Sequence, residues 1–412
     1  MPFLIRSVNA ACSGDNCAPP EGWDNFVNNL ASDLAPLLTL LGEQVTTQYL
    51  NESLSWIDSL LFAFAPLGII SAMVAAIRVA GRPLLWSLIG RAKESRGTVE
   101  AELMSSTSSD VCELWGGEGV SRVLGSPVLL QLVYVGSGDV EKSEDEKPPT
   151  VKNSEGVYLF HEAIRLDIYR RKGDAGPSPD IQESVDMEAN NDIDDFLTRQ
   201  NPPNLSLNVS IRPLDPKVLI TFACIGFFMQ TGVLVYAAIS QYHLKLSKSG
   251  IDVPAYGFPI LLTGTLSLAI GMFLCAQAVE TSTKEETWEP TERGDSKSVV
   301  WLQQGGQTVG DQRFGSFARR SGVNFPENRV LTSEKAGKGK PVLVTAAIST
   351  AFFGFVAQFV GLRAMHPSVT IAQLGAVLIM TILRSCARIQ REGRNDIEDP
   401  DEIEGYELDW LA

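Results

Sequence analysis

The chain has 412 residues, with 49 acidic against 34 basic side chains and a formal net charge of −15. That balance argues against nucleic-acid binding, which needs clustered Lys/Arg against phosphate. Mean hydropathy is only +0.05 although 44% of residues are hydrophobic, because apolar residues are gathered in blocks separated by long charged loops.

The length allows two or three ordinary domains. The six cysteines and three histidines have no metal-ligand spacing, and no C-x-x-C pattern occurs. Residues 1–58 read as an extracellular or luminal N-terminal region. Cys12 and Cys17 flank a turn-forming Ser-Gly-Asp-Asn, a candidate small-loop disulfide if this end faces an oxidising lumen; two free thiols is the alternative. Trp23, Phe26, Val27, Leu30, Leu34, Leu37, Leu38 and Leu41 recur at helical spacing and predict an amphipathic helix. Its polar face has no Lys or Arg, so packing against a bundle or partner is favoured over a membrane surface. Asn51-Glu52-Ser53 is a glycosylation sequon that this reading places outside.

Five uncharged runs follow, each near the ~20 residues that span a bilayer as a helix: Ser59–Ile77, Val218–Ser240, Tyr256–Val279, Pro341–Leu362 and about Met365–Leu383. Arg78, Arg82, Arg91, Lys93 and Arg96 follow the first, and Arg6 is the only basic residue before it. Lys335, Lys338 and Lys340 precede the last pair, and Arg384, Arg388, Arg391 and Arg394 follow it. The positive-inside rule then gives about five spans, N-terminus outside and C-terminus cytosolic, in the plasma membrane or an endomembrane. Four spans is the runner-up, with Ser59–Ile77 a peripheral or re-entrant helix, for which its Pro66 speaks.

The fold class is therefore mainly α and integral-membrane, with a small cytosolic α/β domain in residues 78–217. Val128–Val135 is β-rich, and Leu205, Leu207, Val209 and Ile211 alternate with polar residues as a half-buried strand does. A short helix is expected from about Ser109. Gly136–Asn153 and Lys172–Asn191 read as disordered inserts. Residues 280–340 form a second cytosolic segment, with a strand at Val299–Gln303 and a hairpin or loop over Gln303–Gln312. That glycine-containing run lacks the Gly-Lys-Ser/Thr of a phosphate loop. Residues 384–412 are an acidic tail ending in Trp410-Leu411-Ala412.

No nucleophile elbow, zinc-protease helix or dinucleotide fingerprint is present, so no enzymatic activity and no cofactor is expected. His161-Glu162 is a commonplace pair. The spans contain no Asp, Glu, Lys or Arg, but four of them hold one glutamine each: Gln230, Gln277, Gln358 and Gln373. An amide in hydrocarbon seeks a partner, so these are candidates for interhelical contacts, or for lining a pore. Small-residue faces at Gly68/Ala72/Ala76 and Ser267/Gly271/Cys275 suit close helix packing. Two functions follow: a non-enzymatic scaffold or sensor presenting cytosolic segments to protein partners, or a small-solute transporter or channel.

Several strings are shared with a known group: Asn16-Cys-Ala-Pro-Pro-Glu-Gly-Trp23, Leu34-Ala-Pro-Leu37, Phe64-Ala-Pro-Leu-Gly68, Ala76-Ile-Arg78, Tyr256-Gly-Phe-Pro259, Gly305-Gly-Gln-Thr-Val-Gly-Asp-Gln312 and Phe359-Val-Gly-Leu-Arg-Ala-Met-His366. Together they resemble filamentous-fungal multi-pass membrane proteins of unknown function, some longer members of which carry ankyrin repeats. The resemblance implies a membrane fold and transfers no functional residue. This chain has no ankyrin pattern.

Overall fold

The structure, a computed structural model, describes residues 42–51, 53, 55–64, 67–117, 119–136, 156–173, 201–210, 216–248, 251–291, 296–320, 329–336 and 340–391. Among these, four helices are long and apolar enough to cross a membrane, over Lys217–His243, Gly257–Glu280, Pro341–Ala364 and Pro367–Ala387. A 24-residue helix is about 36 Å long at ~1.5 Å per residue, against ~30 Å of hydrocarbon. The chain is an integral membrane protein of mainly helical build.

The described helices are named in chain order. The first, α1, covers 42–51. Then come α2 (Trp56–Ala63), α3 (Ile69–Ala80), α4 (Pro83–Leu88), α5 (Arg96–Leu103) and α6 (Phe160–Arg165). The long ones are α7 (Pro216–Ala238, continued by a π-helical turn Ile239–His243), α8 (Gly257–Glu280), α9 (Pro341–Ala364) and α10 (Pro367–Arg391).

The tightest contact is between α8 and α9, which run antiparallel. Leu261, Gly264, Leu268, Gly271 and Cys275 are buried on α8; Val344, Ala347, Ala351, Gly354, Gln358 and Gly361 are buried on α9. Spacings alternate between three and four, the seam periodicity of a coiled coil. The glycines let backbone meet backbone: a Cβ at Gly264 would lie 2.2 Å from the Gln358 nitrogen, and one at Gly354 would lie 2.2 Å from the Leu268 nitrogen. Without a hydrophobic drive between helices in lipid, such close approach is what holds them.

The expected span over Ser59–Ile77 is not one helix. It is broken between α2 and α3, in an interval that contains Pro66, and α3 begins after Gly68 in the left-handed conformation, φ 66°. Both ends of this segment lie at the same end of the bundle. Ser59 Oγ donates to Glu280 Oε2 at 2.7 Å, beside the last turn of α8. Ala76, Ile77 and Ala80 pack with Cys275, Ala278, Val344 and Ala347, at that same end. Between them, the Phe64 carbonyl meets Gln230, near the middle of α7. The segment therefore dips to about mid-depth and returns, as a re-entrant hairpin. Backbone of this kind is tolerated at membrane depth only when protein surrounds it. The helix α1 lies alongside: a Cβ at Gly42 would touch the Gly68 backbone nitrogen at 2.9 Å, Thr46 donates to the Leu67 carbonyl, and Tyr49 donates to the Asp58 carbonyl. Arg384 of α10 lies over the rings of Tyr49 and Phe62 and is 3% exposed.

The hairpin makes a testable arrangement. With native cysteines replaced, Trp56→Cys and Ser87→Cys should label from one face and His243→Cys from the other, all three positions being exposed. A span through 59–77 would instead make Trp56→Cys label with His243→Cys.

The soluble part draws on both of the long inter-helix segments. Its first segment carries β1 (Val111–Trp115), β2 (Val120–Leu124), β3 (Leu129–Gly136), β4 (Gly156–Leu159) and β5 (Tyr169–Arg171). Two short strands, β6 (Ser247–Lys248) and β7 (Ile251–Asp252), pair between α7 and α8. The second segment carries β8 (Thr283–Pro290), β9 (Ser296–Gln303), β10 (Gln307–Val309), β11 (Gln312–Phe314), β12 (Phe317–Arg320) and β13 (Val330–Lys335). Strand β3 pairs antiparallel with β9, in a four-stranded sheet ordered β12-β9-β3-β4. A second sheet is ordered β13-β8-β5. Trp115, Phe160, Tyr169, Trp288, Trp301 and Phe317 are central to one shared core. The hairpin β1–β2 puts a strand where a helix was expected from Ser109. The hairpin β10–β11 agrees with the loop expectation there.

A second difference is at Leu205–Ile211. Residues 206–210 are a π-helical turn, not a strand. Leu205 and Leu207 are buried, but so are Asn204 and Asn208. Asn208 exchanges two hydrogen bonds with the Leu331 backbone, and Asn204 accepts from the Ser333 nitrogen. Four residues apart, one just before the turn and one on it, the two amides meet alternate residues of β13. They act as the missing neighbouring strand, so a turn that packs along a strand carries a strand-like pattern. Asn204-Leu205-Ser206 and Asn208-Val209-Ser210 also match the glycosylation sequon, but their asparagines are 2% and 4% exposed, so neither has room for a glycan in the folded domain.

Candidate functional site

Three of the four glutamines converge at mid-depth. Gln230 on α7 donates through Nε2 to the Phe64 carbonyl at 2.9 Å. That carbonyl ends α2, where a helix leaves oxygens without intrahelical donors. Gln373 on α10 donates to Gln230 Oε1 at 3.3 Å. Gln358 on α9 donates to Thr265 Oγ1 on α8 at 3.2 Å. Each glutamine is no more than 8% exposed. They surround a cavity of about 90 Å³ whose other walls include Phe64, Phe227, Thr231 and Leu268. Among the described residues, no charged side chain lines it.

The site is assembled by the broken hairpin. Gly68 sits where any side chain would strike Thr46 and the Gly42 carbonyl, its Cβ falling 2.1 Å from Thr46 Oγ1. The left-handed turn and this close approach both require glycine. The tip is thereby pinned against α1 while the Phe64 end reaches Gln230. Chemically, the cavity offers three uncharged amides and the hydroxyls of Thr231 and Thr265, each able to donate and accept. It suits a small hydrogen-bonding guest with no net charge.

Gln277 lies elsewhere, at the domain end of α8. Its Nε2 donates to Ser59 Oγ at 3.1 Å and to Glu280 Oε2 at 2.6 Å. It ties the entry of the hairpin to α8. Cys12 and Cys17 lie outside the described residues. Asn51 is half-buried on α1, and its neighbours Tyr49 and Asp58 put it at the domain end of the bundle. Glycosylation at Asn51 and a cytosolic domain thus exclude each other.

Within the domain, Cys112 is fully buried and burial pushes its thiol up to about 12, so it stays protonated. Glu162, beside His161, accepts from the Leu159 nitrogen at the start of α6. The broken segment fits the four-span alternative better than the five spans first expected. What sequence reading misses is which contacts hold the hairpin tip, and the full glycine seam, of which it singles out only the Gly271 face. Gly264/Gly271 and Gly354/Gly361 each recur at a seven-residue interval, which is a usable signal for the seam.

No protein-family model matches the chain, and neither does any curated protein or any solved structure.

Proposed function

We propose that this chain is a multi-pass membrane protein that binds, and conducts across the bilayer, a small uncharged polar solute. The observation that carries the reading is the re-entrant hairpin whose tip meets Gln230, with Gln358 and Gln373 lining the same mid-depth cavity. Broken helices at the bilayer midplane are how many transporters bring backbone groups to a substrate. At about 90 Å³ the cavity has room for several waters or a solute of a few heavy atoms.

The test is reconstitution into vesicles and stopped-flow swelling with water, formamide, urea and glycerol as probes. Permeability to at least one should exceed that of protein-free vesicles. Gln230→Leu with Gln373→Leu should cut it by roughly tenfold, since each buried amide hydrogen bond contributes about 1–2 kcal/mol. Permeabilities equal to protein-free vesicles for all four probes would sink the reading.

A second reading, the non-enzymatic scaffold or sensor, draws support from the domain. Its core is built from both inter-helix segments, which suits a fixed surface offered to protein partners. Reproducible co-purification of a partner that fails with Glu113→Ala would favour it. We further propose a cytosolic domain and tail, from the basic flanks, and an N-terminus outside, for which Gly42 lying at the level of the hairpin tip speaks. Membership in the fungal group, and a plasma-membrane or endomembrane location, are proposed on the shared strings alone.

A further inference from the structure

We infer that the recess between the bundle and the domain is a binding site for the headgroup phosphate of an anionic phospholipid. It is a cavity of about 390 Å³, lined among others by Arg78, Trp86, Arg91, Glu94, Arg96 and Lys335. Its remaining walls include Gly81, where α3 has ended, Thr281 and Ser282, just past α8, and Pro341, the first residue of α9. The recess therefore lies where three helices of the bundle end, which is headgroup depth. Basic pockets between helices at this depth are a recurring lipid-headgroup site.

The neighbouring helix α4 supplies the apolar half of such a site. Leu84 and Leu88 are 80% and 79% exposed, so no described residue covers them. Trp86 on the same helix donates its indole N–H to the Ile77 carbonyl at 2.7 Å, fixing α4 beside the recess. An acyl chain lying along these leucines would have its phosphate at the mouth.

The charge balance of the recess is positive. Arg78 is bound by Glu94 and Glu102, each at 2.6 Å, and Arg91 shares Glu94 at 3.0 Å. Lys335 stands 3.5 Å from Glu100. Arg96 has no hydrogen-bond or ion-pair partner among the described residues. Four cations thus face three carboxylates, with Arg96 the unmatched one, and a phosphodiester carries the single negative charge that would balance it. A soluble phosphate would satisfy the same cations, but it would leave Leu84 and Leu88 in water. That asymmetry favours lipid.

The test is native mass spectrometry of the full chain in detergent, titrated with phosphatidylinositol, phosphatidylserine or phosphatidylcholine. The anionic lipids should be retained at least tenfold better than phosphatidylcholine. Arg96→Gln is the probe variant, because that exposed side chain holds nothing in place; it should lower retention of the anionic lipids about fivefold, and Arg96→Lys should restore most of it. Leu84→Ser with Leu88→Ser should lower it as well. Equal retention by Arg96→Gln and the parent chain would overturn the inference. So would full displacement of lipid by millimolar inorganic phosphate, which would assign the recess to a soluble anion. The result is independent of solute permeability, since none of these residues lines the mid-depth cavity.

Discussion

Gly271→Leu is expected to prevent assembly of the bundle, with little or no monodisperse protein recovered in detergent. A Cβ at Gly271 would lie 2.3 Å from the Ala351 nitrogen, 2.5 Å from its Cα and 2.7 Å from its Cβ. Two of those three atoms are backbone of a second helix, so no rotamer change relieves the clash. Overpacking costs typically about 1–3 kcal/mol where side chains can shift, and here the whole of α9 must move. Separation would not stay local. Gly264, Gly354 and Gly361 meet the partner backbone in the same register, so pushing the helices apart at one position opens the seam along its length. Gly375→Leu on α10 is the control, because nothing lies within 4 Å of a Cβ there. It should match the parent chain, or melt slightly higher, since glycine costs about 1 kcal/mol against a good helix former. A Gly271→Leu protein with an unchanged melting temperature would contradict the seam.

The long helices are legible in the sequence because a membrane span needs only length and the absence of charge, and both are local properties. The hairpin is not. Nineteen uncharged residues over 59–77 satisfy the same criterion, and Pro66 raises the returning alternative without deciding it, since Pro is tolerated in membrane helices. The deciding contacts, Ser59 with Glu280 and Ile77 with the Val344 region, join positions more than 200 residues apart. Both flanks of the hairpin lie at the domain end, yet basic residues mark only the one after Ile77. The stretch before Ser59 is poor in them, and missing basic charge is a weak signal because acidic residues contribute little to orientation.

The domain shows the same division. The β-rich runs at β3 and β9 are legible one by one, but their pairing links segments separated by two spans. At 205–211 the periodicity is real and its cause is different. Buried amides of Asn204 and Asn208 imitate a strand edge, and an alternation of apolar and polar residues cannot separate that from a strand. Among the glutamines, sequence identifies all four as side chains needing partners. Which of them share a cavity depends on helix order and rotation, which no single run carries.

Glu113→Ala is expected to destabilise the domain by about 3–5 kcal/mol, the usual consequence of removing one partner of a buried ion pair. Glu113, on β1, is fully buried. Its Oε1 accepts from Arg122 Nη1 at 2.6 Å and from Ser206 Oγ at 2.7 Å, and its Oε2 accepts from the Ser206 nitrogen at 2.7 Å. Arg122 also donates to the Ala101 and Ser106 carbonyls. One carboxylate thus joins the β1–β2 hairpin, the end of α5 and the π-helical turn at 206–210. Alanine would leave a guanidinium without its counter-charge and the part-buried Ser206 N–H without an acceptor. Glu113→Gln keeps the shape and one acceptor, so it should cost less, about 1.5–3 kcal/mol. The measurement is thermal unfolding and limited proteolysis of the full chain in detergent. Arg122→Ala with Glu113→Ala should cost clearly less than the two single effects added, because the pair acts as one unit. If the double variant costs their full sum, the carboxylate is not what couples the turn to the domain. If the coupling holds, it reaches further than the domain, since that turn precedes α7 in the chain, the helix that carries Gln230 to the hairpin tip.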